Sequence, residues 1–147
     1  MVDPTIVKEW LDKADEDLRF AESILKDGSV FYAQICFHFH QAAEKFLKTF
    51  IISRGLPFNK VHDLVNLLRV CTGNDQTLAD LKEDCITLNS AYIETRYPVH
   101  WPTDYSKETA EQSLSAAQSI ALEVRKRIVQ GPGCVVNSGI NYGSSPE

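Results

Sequence analysis

The sequence predicts an all-α protein, an up-and-down four-helix bundle with one additional short helix. Three observations predict it. Apolar residues recur at three- and four-residue spacing along four long stretches, the period of helices buried on one face. Only 7 Gly and 6 Pro occur in 147 residues, and four of the Gly and two of the Pro fall after residue 130, so the body of the chain is poor in helix breakers. One stretch, 31–54, is apolar on nearly every side of a helix and needs neighbours around most of its girth.

Asp3 followed by Pro4 reads as an N-cap with proline at the first helical position. Val7, Leu11, Ala14, Leu18, Ala21 and Leu25 then line one face, and Glu9, Asp12, Asp15, Glu16 and Arg19 the other. Gly28 marks the end of this first helix. The second helix follows after a very short turn, so the two should be antiparallel neighbours. In it Phe31, Ile35, Phe39, Ala42, Ala43, Phe46, Leu47, Phe50 and Ile51 are apolar, and Gln34, His38, Gln41, Lys45 and Lys48 form one narrow polar stripe. His40 and Glu44 stand outside that stripe, at its border with the core. They are four residues apart and therefore surface neighbours, a polar pair that needs a reason.

Residues 55–60 form a loop. Val61, Leu64, Val65 and Leu68 mark a short third helix that closes around Thr72-Gly73-Asn74. A longer helix runs from Gln76 to Thr95, with Leu78, Leu81, Cys85, Leu88 and Tyr92 on one face. Pro98 and Pro102 keep Arg96 to Tyr105 irregular. Ser106 caps the last helix, whose core stripe is Ala110, Leu114, Ala117, Ala121, Val124 and Ile128. Gly131-Pro132-Gly133 ends it. Residues 1–130 are thus the bundle, and 131–147, with no helical period, read as a flexible C-terminal tail.

Composition fits one globular domain, with 44% apolar, 24% charged and 10% aromatic residues. The net charge of −5 provides no overall basic field, so any contact with nucleic acid must rest on a local patch of Lys and Arg. Four Cys without regular spacing, and no signal peptide, predict a reducing, cytoplasmic setting. No apolar run reaches the roughly 18 residues that cross a bilayer, so no membrane association is expected.

The richest chemistry lies in the loop after the fourth helix. It gathers Arg96, Tyr97, His100, Trp101, Asp104 and Tyr105. Arg can grip phosphate with two parallel hydrogen bonds, and His moves protons near neutral pH. Together they suit RNA cleavage without metal. His100 would take the 2′-hydroxyl proton or protonate the leaving oxygen, and Arg96 would stabilise the phosphorane. In the plainer reading Arg96 caps its helix, the aromatics pack and His100 is solvated.

The lower half of the second helix adds Gln41, Glu44, Lys45 and Lys48. Lys45 and Lys48, three apart, can both reach a phosphate, and Glu44 can orient Arg96 through a charge-assisted hydrogen bond. The plainer reading of the stripe is a solvent face. Asp63 suits the start of a helix because of the dipole there. His62 beside it either packs or joins the site. Cys36, His38 and His40 invite a metal reading, but His38 points away from the face shared by Cys36 and His40, and no other Cys/His pair completes a tetrahedral set. Cys36 falls on the core face, which speaks against a Cys–His nucleophile. No metal and no cofactor are expected.

Four segments, in order, resemble the HEPN domain family (higher eukaryotes and prokaryotes nucleotide-binding), in its small stand-alone prokaryotic form. They are Ala14-Asp15-Glu16-Asp17-Leu18 with Ala21, Gln41-Ala42-Ala43-Glu44-Lys45 with Leu47-Lys48, His62-Asp63-Leu64, and Thr95-Arg96-Tyr97-Pro98. The resemblance implies a bundle of four or five helices, usually a homodimer. Many members of the family are metal-independent ribonucleases of toxin–antitoxin, CRISPR or other defence systems. Small bacterial and archaeal members are often encoded beside a minimal nucleotidyltransferase that acts as antitoxin.

The expectation is therefore a ribonuclease toxin paired with a minimal nucleotidyltransferase. Arg96 and His100 would be catalytic and would face their counterparts across a subunit cleft. Tyr97, Lys45, Lys48, Gln41, Glu44, His62 and Tyr105 would contact RNA or nucleotide. The alternative is a non-catalytic nucleotide- or protein-binding module. Ribonuclease members carry an Arg, then four to six residues, then His, whereas Arg96 and His100 are separated only by Tyr97, Pro98 and Val99. A related toxin subgroup has a Tyr some six positions after the Arg. Pro102 stands there in this chain, and Tyr105 follows three later.

Overall fold

The computed structural model describes residues 2–57, 60, 62–96 and 105–129, with backbone alone for 93–96 and 129. The tail 131–147 and the Gly131-Pro132-Gly133 stop lie outside the described residues. The helices are α1 (Pro4–Lys26), α2 (Tyr32–Ser53), α3 (Leu64–Asn74), α4 (Lys82–Arg96) and α5 (Lys107–Val129). Four are long and α3 is the short addition, as the hydrophobic periods predict.

Local chemistry fixes the ends. Asp3 Oδ1 accepts the Thr5 N–H at 2.8 Å, and Pro4 opens α1 without wasting a donor. Gly28, at φ +89°, takes the left-handed turn that lets Gly28 N–H and Ser29 N–H bond the Leu25 and Ile24 carbonyls. Asp63 caps α3 by accepting Val65 N–H at 2.9 Å. Ser106 Oγ accepts Thr109 N–H at 3.1 Å, and Thr109 Oγ1 accepts Ser106 N–H at 3.3 Å, a reciprocal box at the start of α5.

The stretch expected to be one helix from Gln76 to Thr95 is divided. Gln76–Leu81 is a 3₁₀ helix and α4 starts at Lys82. The cause lies in its first turn. Asp75 accepts Thr77 N–H at 3.0 Å, while Arg127 of α5 donates to Asp75 at 2.9 Å and to Thr77 Oγ1 at 2.6 Å. This clamp ties the entry of the segment to the far end of α5, and the chain winds tightly before relaxing into α4.

Helix α2 is the axis of the fold and touches α1, α3, α4 and α5. Phe39, Phe46, Phe50, Ile35, Leu47 and Ile51 are its largest fully buried side chains. Directions follow from the contacts. Lys45 meets Asp17 and His38 meets Phe20, so α1 is antiparallel to α2. Cys71 reaches the Leu47 carbonyl while Leu64 sits at the level of His40 through Asn89, so α3 runs parallel to α2. Asn89 meets His40, and Tyr92 meets His40 and Phe37, so α4 is antiparallel. Ser113 meets Cys36 and Arg125 lies over Phe46, so α5 is parallel. Among the described residues no helix is long and apolar enough to cross a membrane.

One expectation about α2 needs correction. His40 and Glu44 are not at a border: they are 0% and 5% exposed, covered by α4 and by the approach to α3. Asp15 holds Arg125 of α5 and Asp17 holds Lys45 of α2, so these carboxylates tie the bundle together.

Candidate functional site

The polar cluster of the bundle lies where α2, the start of α3 and α4 meet. Its centre is Glu44, a carboxylate buried by helix packing. Lys48, one turn later on α2, donates to Glu44 Oε2 at 2.7 Å. His62, just ahead of the α3 cap, places Nδ1 at 3.2 Å from both carboxylate oxygens. A carboxylate only accepts, so Nδ1 carries the proton and the neutral imidazole presents Nε2 as an acceptor. Among the described residues Nε2 makes no hydrogen bond, and the His62 side chain is 53% exposed. Burial would raise the Glu44 carboxyl, but the hydrogen bonds from Lys48 and His62 outweigh it and hold the group below the usual carboxylate range.

His40 forms the inner wall. Its Nε2 meets Asn89 Oδ1 at 3.3 Å, and its ring stacks on Tyr92. Nδ1 is buried without a hydrogen-bond partner among the described residues, 4.0 Å from Glu44 Oε1. Burial pushes the imidazole down to about 4, so it is neutral at physiological pH. Asn89 links the helices: its Oδ1 accepts Leu64 N–H at 3.1 Å and its Nδ2 donates to Asp63 Oδ1 at 2.9 Å. Tyr92 bridges the cluster, against His40 on one side and 6.2 Å from His62 on another. Arg96 follows Tyr92 by one turn in the same helical register.

The structure brings Glu44, Lys48 and His62 together. It does not bring Lys45 with them. Lys45 turns to the other side of α2 and bonds Asp17 of α1 at 2.5 Å. Gln41 is half-buried, Gln34 is exposed, and His38 packs edge-on against Phe20 and Phe37. Tyr105 donates its hydroxyl to the Ala91 carbonyl of α4. Glu44, expected to orient Arg96, has Lys48 and His62 as its described partners. The Arg96 side chain lies outside the described residues, as do Tyr97 and His100. Cys36 is buried in the core and bonded by Ser113, as its face predicts. Among the described residues no group of three His, Cys, Asp or Glu side chains can hold a metal.

Asn89, Asp63 and Tyr92 complete the cluster and were not anticipated as site residues. The available signal was that Asn89 occupies the register of Cys85 and Tyr92, a polar residue on a core face.

Among the described residues the chain is all-helical, with a central apolar helix and a buried acid joined to the His-Asp pair that opens the short helix, the arrangement expected of a HEPN-type bundle. The HEPN domain family matches residues 7–127, and the chain belongs to that family. Two solved structures are similar. The crystal structure of TT1696 from Thermus thermophilus is 32% identical with a TM-score of 0.72, over 82% of this chain and 97% of that chain. The crystal structure of ST0689, an archaeal HEPN homologue, is 26% identical with a TM-score of 0.67, over 83% of this chain and 97% of that chain. No curated protein matches.

Proposed function

We propose that this HEPN protein binds the phosphate–ribose backbone of RNA and cleaves it without metal. Arg96 holds the phosphate and stabilises the phosphorane, and His100 transfers a proton. Tyr97 positions the strand, and Lys48 and His62 extend the surface. The working form is a homodimer in the cytoplasm, with Arg96 and His100 of both subunits facing one cleft. Its physiological partner is a minimal nucleotidyltransferase acting as antitoxin.

The observation that supports this reading is the position of Tyr92. The same ring neighbours the His62 imidazole, anchored on Glu44, and precedes Arg96 by one helical turn of about 6 Å. An accessible imidazole and a guanidinium-bearing turn thus share one neighbour. The test is cleavage of a mixed-sequence RNA by the purified protein in EDTA. Arg96→Ala should abolish it while the protein melts as wild type. The ribonuclease reading fails when the wild-type protein cuts no RNA and its expression harms no host cell.

The short Arg96-to-His100 separation favours a second reading, a module that holds a nucleotide or a protein partner without turnover. Calorimetric titration with ATP separates the two. Tight stoichiometric binding with no product supports the module.

A further inference from the structure

We propose that His62 is a catalytic general base of this protein, held in its reactive tautomer by Glu44; this rests on the ribonuclease reading above. Cleavage by 2′-oxygen attack moves two protons, one off the 2′-hydroxyl and one onto the departing 5′-oxygen. His62 has what the first transfer needs. Its Nδ1–H is shared between both Glu44 oxygens at 3.2 Å, which fixes the ring and leaves Nε2 as the lone-pair nitrogen.

Glu44 is suited to this task by its surroundings. It is 5% exposed and Lys48 bonds its other side at 2.7 Å, so it stays ionised inside the bundle and stabilises the imidazolium formed as His62 accepts a proton. Ring orientation is fixed from behind as well. Asp63, the next residue, is bound by Asn89 Nδ2 and caps α3, so the backbone carrying His62 cannot swing freely. A histidine kept only for packing would be covered. This one is 53% exposed while its partner is buried.

The step balances as follows. His62 Nε2 takes the proton of the ribose 2′-hydroxyl as the 2′-oxygen bonds phosphorus. The bond from phosphorus to the 5′-oxygen breaks, and that oxygen takes a proton from water. The products are a 2′,3′-cyclic phosphate and a 5′-hydroxyl end. His62 leaves as imidazolium paired with Glu44, and giving its proton back to the solvent resets it. Glu44 touches no substrate and is a positioning residue.

The experiment follows cleavage of a defined RNA by wild type, His62→Ala, His62→Gln and Arg96→Ala, with and without free imidazole. The expected result is a fall of at least about 100-fold for both His62 variants at unchanged melting temperature. Free imidazole should restore His62→Ala and leave His62→Gln unrestored. Long-range ¹⁵N–¹H spectra of the wild type should show neutral His62 protonated on Nδ1. The proposal is overturned when wild type cleaves, Arg96→Ala does not, and the His62 variants keep wild-type rates. It is overturned equally by an Nε2-protonated tautomer. If wild type itself cuts no RNA, the ribonuclease reading and this base fall together, a result distinct from loss of the base alone.

Discussion

The His40 imidazole lies flat against the Tyr92 ring, their centroids 3.8 Å apart and their planes 15° from parallel. One side chain comes from the middle of α2 and the other from the last full turn of the described α4 face. The stack fastens the two helices and removes His40 from water altogether. Among the described side chains, the one acid near Nδ1 is Glu44 at 4.0 Å, already bound by Lys48 and His62.

Stability should therefore depend on pH through His40. Burial lowers its pKa to about 4 in the fold, against about 6.5 in the unfolded chain. The unfolded state takes up a proton first, so the stability present above pH 6.5 is lost progressively as pH falls toward 4. Between pH 7 and pH 5, above the carboxylate range, the loss is about 2 kcal/mol. Urea unfolding at pH 7, 6 and 5 measures it. His40→Phe keeps a ring on Tyr92 and should flatten the slope by about that amount. Equal slopes in both proteins would mean that His40 is not the group responsible.

Glu44→Ala removes the common acceptor of Lys48 and His62. Lys48 is only 12% exposed, so its ammonium loses a bonded carboxylate inside the packing. The expected cost is about 3 kcal/mol, read from denaturant unfolding at pH 7. Lys48→Met keeps the stem and leaves His62 as the acceptor's partner, and should cost less. Because the folded Glu44 carboxyl is held low, its contribution is present above its ordinary pKa of 4.5 and is lost as pH falls below that value. Glu44→Ala should lack that acid-side loss.

The bundle was legible because its signal is repeated. Each long helix carries its apolar spacing over several turns, and caps such as Asp3-Pro4 and Ser106 are local. The site was legible only where it broke a pattern. His40 and Glu44 showed as polar residues outside the stripe, but which neighbours would bury them is a tertiary fact. Lys45 and Lys48 shared a face on paper, yet α2 is covered on both sides. The step between them is enough to send one to Asp17 and the other to Glu44. Asn89 stood in the register of Cys85 and Tyr92, but a lone Asn in a helix usually marks its wet side. Here it is folded inward to satisfy Leu64 N–H and His40 together.

Asp63→Ala should be more costly than an ordinary cap deletion. Asp63 accepts Val65 N–H and also binds Asn89 Nδ2, so α3 loses both its N-terminal acceptor and its tie to α4. A cap alone is worth about 1 kcal/mol, and the lost tie brings the expected total to about 2 kcal/mol. Asp63→Asn keeps the cap and should recover most of it. Equal losses for Ala and Asn would show that charge, not the acceptor, is what Asp63 supplies.

Tyr105 offers a direct contest between a ligand contact and a structural one. Its hydroxyl is given to the Ala91 carbonyl on α4, from a half-buried position just ahead of the Ser106 cap. That bond joins the entry of α5 to α4 across 14 residues of chain. Tyr105→Phe keeps the ring and removes only the bond, so stability should fall by about 1 kcal/mol. Affinity for an RNA or nucleotide, measured well below the melting temperature, should be unchanged. A Tyr105→Phe protein that melts as wild type but binds RNA several-fold more weakly would assign the hydroxyl to the ligand.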